Sequence, residues 1–499
     1  MTDLRRWAYL LLMVASVATV TARIAHVELV YEPSLNRNEG EPWSTAHPRI
    51  WPKERPKSMP TFSSNDRSRW CTIRNLVDEG KWDIGERTYP DPNQPETHKD
   101  EGIVFKNGWQ SIDLVLNPDT HKFYSSKPPL LTFLAAGEYW LLSHVLDWRI
   151  DDKPNHVVKT ILLTFDLLPL IVYLVLLQRL LERHATTDLG RLFVFTGACF
   201  GTFLTTFATT LNNHTLAACA TLVAIYPFLN QEPAAMPRWS WLPPLPSTGA
   251  VLLSGIMAGL TTCLELPALA FAAILLSVVC LRSPLRGLLF LLAAALPIVL
   301  EIVLNHQALG IWEPVYFKFG TEWYEYPGSH WKLAPGQIKN GIDWAWQHES
   351  RSAYVFHTLI GHHGLFSLTP LWILSFMGMF AVTFGYLFKR KVKPASYFLF
   401  PLTLVVSLVV IGFYLLIVGT RNHNYGGWTS GLRWLFWLTP LWLLTMLPAA
   451  DWLAGRRWGR ILALACLAVS IFSASYPVWN PWRHPWLYDL LESQGWIQY

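Results

Sequence analysis

Long apolar runs alternate with short polar joints along most of the chain. They cover 7–20, 128–147, 157–178, 191–210, 214–229, 248–264, 266–282, 285–304, 364–387, 396–418, 432–448 and 460–476. A bilayer core of roughly 30 Å takes a helix of about 20 such residues, so the pattern predicts membrane-spanning helices. A long polar stretch, Arg23 to Lys127, separates the first run from the second, and its early part is rich in proline (Pro42, Pro48, Pro52, Pro56, Pro60). Within it, Trp70, Ile73, Leu76 and Val77 share one face at helical spacing, while Arg67, Arg74 and Asp78 take the other. This predicts an amphipathic helix near 65–79, suited to lie on a membrane surface, with Ser64 or Asn65 to cap its start. Alternation in Ser111–Leu116 and in His121–Tyr124, around Asn117-Pro118-Asp119-Thr120, predicts a hairpin.

The positions of charge order these runs in a membrane. Arg5 and Arg6 precede the first run, which lacks a small-x-small cleavage site; an uncleaved helix with a cytoplasmic N-terminus is predicted. Further basic clusters stand at Arg179, Arg183 and Arg191, at Arg282 and Arg286, at Lys389-Arg390-Lys391 and Lys393, and at Arg456, Arg457 and Arg460. All of them face the cytoplasm only if the run 128–147 does not cross. That run opens Lys127-Pro128-Pro129 and contains Glu138, so it is read as lying in the outer interface or re-entering from it. The expected fold is an all-α polytopic membrane protein with about eleven transmembrane helices plus interfacial helices, N-terminus inside and C-terminus outside. Its predicted parts are a first transmembrane helix in 1–22, an external loop 23–127 with the amphipathic helix and hairpin, a membrane core 128–304, an aromatic-rich external loop 305–363, C-terminal transmembrane helices 364–476 and an external tail 477–499.

Composition agrees with this picture and narrows the functions. The chain is 52% hydrophobic and only 15% charged, where a soluble domain carries about 25%. The net charge of +5 comes from short clusters in the joints, so nothing resembles a nucleic-acid surface. Of six cysteines only Cys71 lies outside an apolar run, which argues against a disulfide framework. The 26 tryptophans suit the headgroup zone.

The unusual polar residues gather on the external side. Asp66 opens the amphipathic helix, where its carboxylate either sits on the apolar, membrane-directed edge for a task there or merely complements the helix dipole. Lys127 stands at headgroup depth, either to bind a lipid phosphate or to snorkel at a helix end. Glu265, in Leu264-Glu265-Leu266-Pro267, is either an interfacial turn residue or a contact to a sugar or to Lys127. Asn212-Asn213-His214-Thr215, at a helix junction, offers groups for sugar hydroxyls or a metal, or a structural histidine. The segment Arg421 to Arg433, with Asn424, Tyr425 and three glycines, supplies two arginines where topology alone would not place them. Loop 305–363 carries Trp312, Trp323, Tyr324, Tyr326, Trp344 and Trp346, among others, as a stacking platform or an interfacial belt. His362 and His363 are metal-type donors without a spaced partner.

Asp66 in its helix, followed by Lys127-Pro128-Pro129-Leu130-Leu131, resembles the N-terminal half of GT-C glycosyltransferases, especially the protein O-mannosyltransferase and aminoarabinose-transferase-like group. The resemblance spans roughly residues 60–280. The family often has a second acidic residue after the first, where this chain has Arg67, and the interval from Asp66 to Lys127 is long, an insertion around 83–110. The resemblance implies an inverting hexosyl- or pentosyltransferase that moves a sugar from a polyprenyl-phosphate donor to an acceptor hydroxyl on a lipid, glycan or protein. Asp66 would be the base, and Lys127, Arg421 and Arg433 would bind the donor phosphate. Glu265, Asn212, His214, Asn424 and Tyr425 would contact sugar or acceptor. No residue is assigned to a metal, though a divalent metal stays open, and the expected location is the outer face of a bacterial plasma membrane. Two other classes compete: a secondary transporter using Asp166 and Glu301, and a non-enzymatic assembly factor docking through its aromatic loops.

Overall fold

The computed structural model describes residues 3–27, 36–44, 49–51, 53, 63–90, 97–106, 108–231, 235–236, 242–332, 349–389, 393–418, 423–478 and 480–498. The chain is mostly helical. Helix α1 (Asp3–Ala25) buries Tyr9, Ser16, Val20 and Ile24 at near-helical spacing and exposes Leu4, Trp7, Leu11 and Val14. Helix α2 (Ser64–Asp78) starts at Ser63, whose side chain accepts from the Asn65 amide while Asp66 accepts from the Ser63 amide. This reciprocal capping box fixes the start one residue before the sequence placed it. The helix ends where Gly80 turns left-handed at φ 67°, letting the Glu79 and Lys81 amides both reach the Asn75 carbonyl. α2 is not a surface helix. Every residue from Asn65 to Ile73 is buried, the polar ones included.

Strands β1 (Gly85–Thr88), β2 (Lys99–Glu101), β3 (Leu114–Leu116) and β4 (Lys122–Ser125) form one antiparallel sheet in the order β2-β1-β4-β3. The β3–β4 turn is shaped by Asn117, whose Oδ1 accepts from the Asp119 and Thr120 amides. The aromatic loop folds onto this sheet. Trp323 and Tyr324 are buried with Val115 and Tyr124, the Trp323 carbonyl accepts from the Leu116 amide, and Arg87 lies over the rings of Phe123 and Tyr326. These aromatics are a small core rather than an open stacking platform. Trp312 remains exposed, stacked on His306 at 3.8 Å, and Trp344 and Trp346 lie outside the described residues.

Helix α3 (Pro129–Val145) runs beside α2: Ser68 and Ser125 are bonded at its start, and Tyr139 donates to Asp78 further along. The Leu130 amide donates to Glu301 at 2.9 Å, so that carboxylate caps α3. Helix α4 (Pro154–Leu162) passes through a π turn at Leu163–Leu167 into α5 (Leu168–His184), and α6 (Asp188–Phe200) follows. Arg5 bonds Glu182 at 3.0 Å and Asp188 at 2.6 Å, holding the start of α1 against the α5–α6 turn. At the other end of α1, Lys159 donates to the Ala25 carbonyl at 2.6 Å.

Helices α7 (Asn213–Leu229), α8 (Thr248–Leu264), α9 (Leu269–Arg282) and α10 (Pro284–Leu309) complete the first half. Gly255 and Gly259 bring α8 against α10: a Cβ at either would collide with the carbonyl of Phe290 or Ala294. This is the small-xxx-small contact of membrane helices. The second half contains α11 (Arg351–Leu359), α12 (Leu371–Lys389), α13 (Leu399–Gly412), α14 (Thr439–Ala454), α15 (Arg457–Ser475) and the short α16 (Trp486–Ser493). α14 is buried along nearly its whole length and forms the centre of this half. Its Asp451 accepts from the Thr186 and Thr187 amides at the start of α6.

Among the described residues, six helices are long and apolar enough to cross a membrane, and four shorter apolar helices lie at 213–229, 248–264, 266–282 and 371–385. The sequence predicted about eleven crossings. Leucines on α10 (Leu285, Leu292, Leu296) and apolar residues on α13 and α15 face outward. Such a belt is unfavourable in water and favourable in lipid, and the chain is a membrane protein.

Candidate active site

The hairpin register builds the first part of the site. Leu114 pairs with Ser125, so the next residues outward, Asp113 and Ser126, are opposite, and the Ser126 amide donates to the Asp113 carbonyl at 3.1 Å. Lys127, one step further, reaches back and donates to Asp113 Oδ1 at 2.6 Å. The Lys127 side chain is 13% and the Asp113 side chain 18% exposed, so the pair is sheltered yet reachable. Burial works against the Asp113 carboxylate, but Lys127, with Arg433 and Arg69 behind it, holds its pKa below the usual value. For the Lys127 ammonium, burial and then the two arginines outweigh the pull of Asp113 and lower its pKa.

α2 supplies Arg69. One turn before it, Asn65 accepts from Arg69 through both its carbonyl (3.0 Å) and its Oδ1 (2.6 Å). The other guanidinium nitrogen donates to Asn213 Oδ1 at 2.8 Å. From Asn213 the network continues through membrane helices. Asn213 donates to the Leu264 carbonyl (2.6 Å) and to Glu265 Oε1 (2.8 Å), and His214 also bonds Glu265 Oε1. Glu265 can be buried here because Asn213 and His214 both satisfy it. Arg433 Nη1 lies 2.9 Å from His214 Nε2. A guanidinium only donates, so His214 Nε2 accepts, and its proton sits on Nδ1, donated to Glu265. Arg433 also donates to the Gly426 carbonyl from Nε and Nη2 and stands 5.0 Å over the Trp482 ring.

Arg69 therefore lies buried, and Arg433 half-buried, among amide, imidazole and carbonyl partners. Among the described residues, no carboxylate is ion-paired with either. Buried cations are normally paired. Lys127 lies close enough to both arginines for their charges to act on it, so three cations share one neighbourhood.

Glu265, His214 and Arg433 are joined in this network, and Lys127, bonded to Asp113, lies close enough for the charges of Arg433 and Arg69 to act on it. Arg69 and Asp113 are not among the residues the sequence singles out, and Asn213 is singled out only with its neighbours as a group for sugar hydroxyls. Asp113 was legible in principle, since the hairpin register places it beside Lys127; Arg69 and Asn213 carry no spacing signal. Asn212 has a different task from sugar contact: its Oδ1 accepts from the Thr215 amide as the cap of α7. Asp66 is 1% exposed at the start of α2, and Oδ1 accepts from the Ser63 amide at 2.8 Å. It points into the fold rather than toward a membrane surface. The start of its helix is joined to the Asp113 strand, since Ser64 accepts from Ser111 Oγ and from the Ile112 amide. Asn424 shapes a tight turn, accepting from the Gly426 and Gly427 amides. Tyr425 is turned away from the arginines: its hydroxyl donates to Glu349 at 2.5 Å and its ring stacks on His363. Arg421 lies outside the described residues.

No protein-family model matches the chain, and no curated protein matches it. Among solved structures, the chain is similar to the Archaeoglobus fulgidus oligosaccharyltransferase in its apo form, with 12% identity and a TM-score of 0.48 over 97% of this chain and 57% of that one. It is similar to the archaeal oligosaccharyltransferase AglB from Archaeoglobus fulgidus in complex with an inhibitory peptide and a dolichol-phosphate, with 12% identity and a TM-score of 0.44 over 98% and 58%. It is also similar to ArnT from Cupriavidus metallidurans bound to undecaprenyl phosphate, with 12% identity and a TM-score of 0.43 over 94% and 65%. The chain spans less than two thirds of the length of each.

Proposed function

We propose that this chain is an inverting glycosyltransferase of the GT-C type, moving a sugar from a polyprenyl-phosphate donor to an acceptor hydroxyl at the outer membrane face. The observation that carries the reading is the pair of guanidiniums, buried Arg69 and half-buried Arg433, that have no carboxylate partner among the described residues and lie near Lys127. A phosphate leaving group needs such positive charge fixed before it departs. Asp113 holds Lys127; an incoming phosphate takes over that ammonium and exchanges one anion for another. The acceptor oxygen attacks the anomeric carbon, the bond from that carbon to the phosphate oxygen breaks, and its electron pair leaves with the phosphate. The hydroxyl proton passes to a carboxylate on the opposite side of the sugar. Asp66 is assigned that task. Asp113, held acidic by the cations, is a poorer base.

Two contacts support the orientation. Arg5 touches the α5–α6 turn while Lys159 touches the far end of α1. An even number of crossings then separates Arg5 from Glu182. With α1 and α4–α5 as the two that cross, α3 stays at the boundary on the side of α2, and the anion site opens outward.

The test is transfer from a synthetic polyprenyl-phosphate sugar by purified protein. Asp66→Asn is expected to lower transfer by about 100-fold or more while leaving polyprenyl-phosphate binding intact. Unchanged transfer removes the base assignment. Substrate flux across sealed vesicles without sugar transfer favours a transporter; the capping role of Glu301 speaks against one of its two candidate carboxylates.

A further inference from the structure

A second polar cluster lies beyond the arginines, built from α11, the turn after it, the Tyr425 turn and the C-terminal tail. Glu349, His357 and His362 each present a ligand-type atom, and these atoms all lie within 4.8 Å of one another. The His357 and His362 rings stack with centroids 4.0 Å apart and 22° between planes. Gly361 permits this approach, since a Cβ there would collide with His357 Nδ1. That Nδ1 is buried and has no hydrogen-bond partner.

The surroundings have the character of an outer ligand shell. Tyr425 donates to Glu349 Oε2 at 2.5 Å, orienting the carboxylate. His362 Nδ1 lies 2.5 Å from His363 Nδ1. Two imidazole nitrogens at that distance share one proton. When His362 is the donor, its Nε2 carries a lone pair suited to a metal, and His363 fixes that tautomer, as outer partners do at metal-bound histidines. His363 is 0% exposed, and its Nε2 has no partner. Tyr425, His484 and Tyr488 pack their rings around the pair. A buried imidazole nitrogen with nothing to bond is costly, and this cluster holds more than one.

We propose that Glu349, His357 and His362 bind a transition-metal dication of the zinc type. Two imidazoles and one carboxylate suit zinc, and disfavour magnesium or calcium, which require mostly oxygen ligands. Zinc bonds of roughly 2.0–2.2 Å would draw the three donor atoms slightly closer together than they stand without the ion. The bound ion holds Glu349 against α11, and Glu349, accepting from Tyr425, links that unit to the Tyr425 turn. The next residue, Gly426, offers its carbonyl to Arg433, so the metal stabilises the segment on which the anion site leans.

The experiment uses the full chain purified in detergent, stripped with a chelator, reloaded with zinc alone and measured for bound metal. Wild type is expected to retain about one equivalent per chain, and cobalt in its place to give the visible absorption of a four-coordinate, nitrogen-ligated ion. Glu349→Gln with His357→Ala, and separately His362→Ala, are expected to lose the metal. His184→Ala, where the imidazole instead bonds the Leu229 carbonyl, is expected to keep it. Stripped wild type that takes up no stoichiometric zinc overturns the proposal, as does full retention by both ligand variants. Where those variants fail to fold, the wild-type cobalt spectrum decides: a weak, oxygen-ligated spectrum overturns it. No sugar donor enters the assay, so its outcome is separate from that of the transferase reading.

Discussion

The side chains of the proposed anion site are individually ordinary, and their partners make them unusual. His214 is held neutral at Nε2 by a guanidinium that can only donate, and Glu265 answers for its other proton. Lys127 has Asp113 as its only bonded carboxylate among the described residues. Asp113→Asn leaves that ammonium, with Arg69 and Arg433 nearby, without its anion. A loss of about 3 kcal/mol at neutral pH is expected, the low end for breaking a buried pair. The pH dependence has a definite sign. The folded Asp113 carboxyl titrates below its free value of about 4, so its stabilisation is present above that pH and is lost as pH falls through the folded value. Thermal melts in detergent should show wild type losing stability from about pH 4 downward. Asp113→Asn should lack that limb and bind inorganic phosphate or polyprenyl phosphate more tightly, because the competing carboxylate is gone. Weaker binding by that variant contradicts the exchange described for Lys127.

Helix contacts decide where these side chains meet. Glu265 follows directly on α8, and α8 is set by its close approach to α10 through Gly255 and Gly259. Gly259→Leu places four carbons against the Ala294 carbonyl. It should destabilise the protein by about 1–3 kcal/mol, the usual cost of overpacking, and pull Glu265 away from Asn213 and His214. Melting temperature and polyprenyl-phosphate binding are expected to fall together; a Gly259→Leu protein with unchanged values shows that the two helices can separate without disturbing the site. α2 behaves differently from its sequence pattern. Its apolar stripe suggested a surface helix, but the sheet, α3 and the membrane helices enclose it from Asn65 to Ile73. A stripe tells which side is most apolar. It does not tell whether a polar side is covered by another polar surface.

At the scale of the whole molecule, two contacts bring basic clusters to one end. Arg5 meets the turn near Arg183 and Arg191, and Asp451, shortly before Arg456, meets the same turn. The 63–127 segment, with its sheet and the aromatic loop folded on it, belongs to the opposite end. With the N-terminal cluster cytoplasmic, Lys81→Cys should react with an impermeant maleimide on intact cells. Arg457→Cys should react only after permeabilisation. The reverse pattern would invert the orientation and place the anion site inside.

The residue pattern alone determined that this chain lives in a membrane, because no soluble core could absorb so many long apolar runs. It also indicated the hairpin, from alternation around Asn117, and singled out Lys127, Glu265, His214 and Arg433 as polar groups in costly positions. Only the tertiary structure decided what those groups face. Arg69 looks like a solvated helix cation until Asn213, 144 residues later, is bonded to it. Tyr425 and Asn424 lie within a glycine-rich segment that reads as one site, yet the turn sends Tyr425 to Glu349 and the Gly426 carbonyl to Arg433. Spacing along a chain reports neighbours within one helix or hairpin. Charge compensation between helices depends on which ends meet, and that is fixed by packing contacts such as Gly259 on Ala294, which have no local signature of the site they serve.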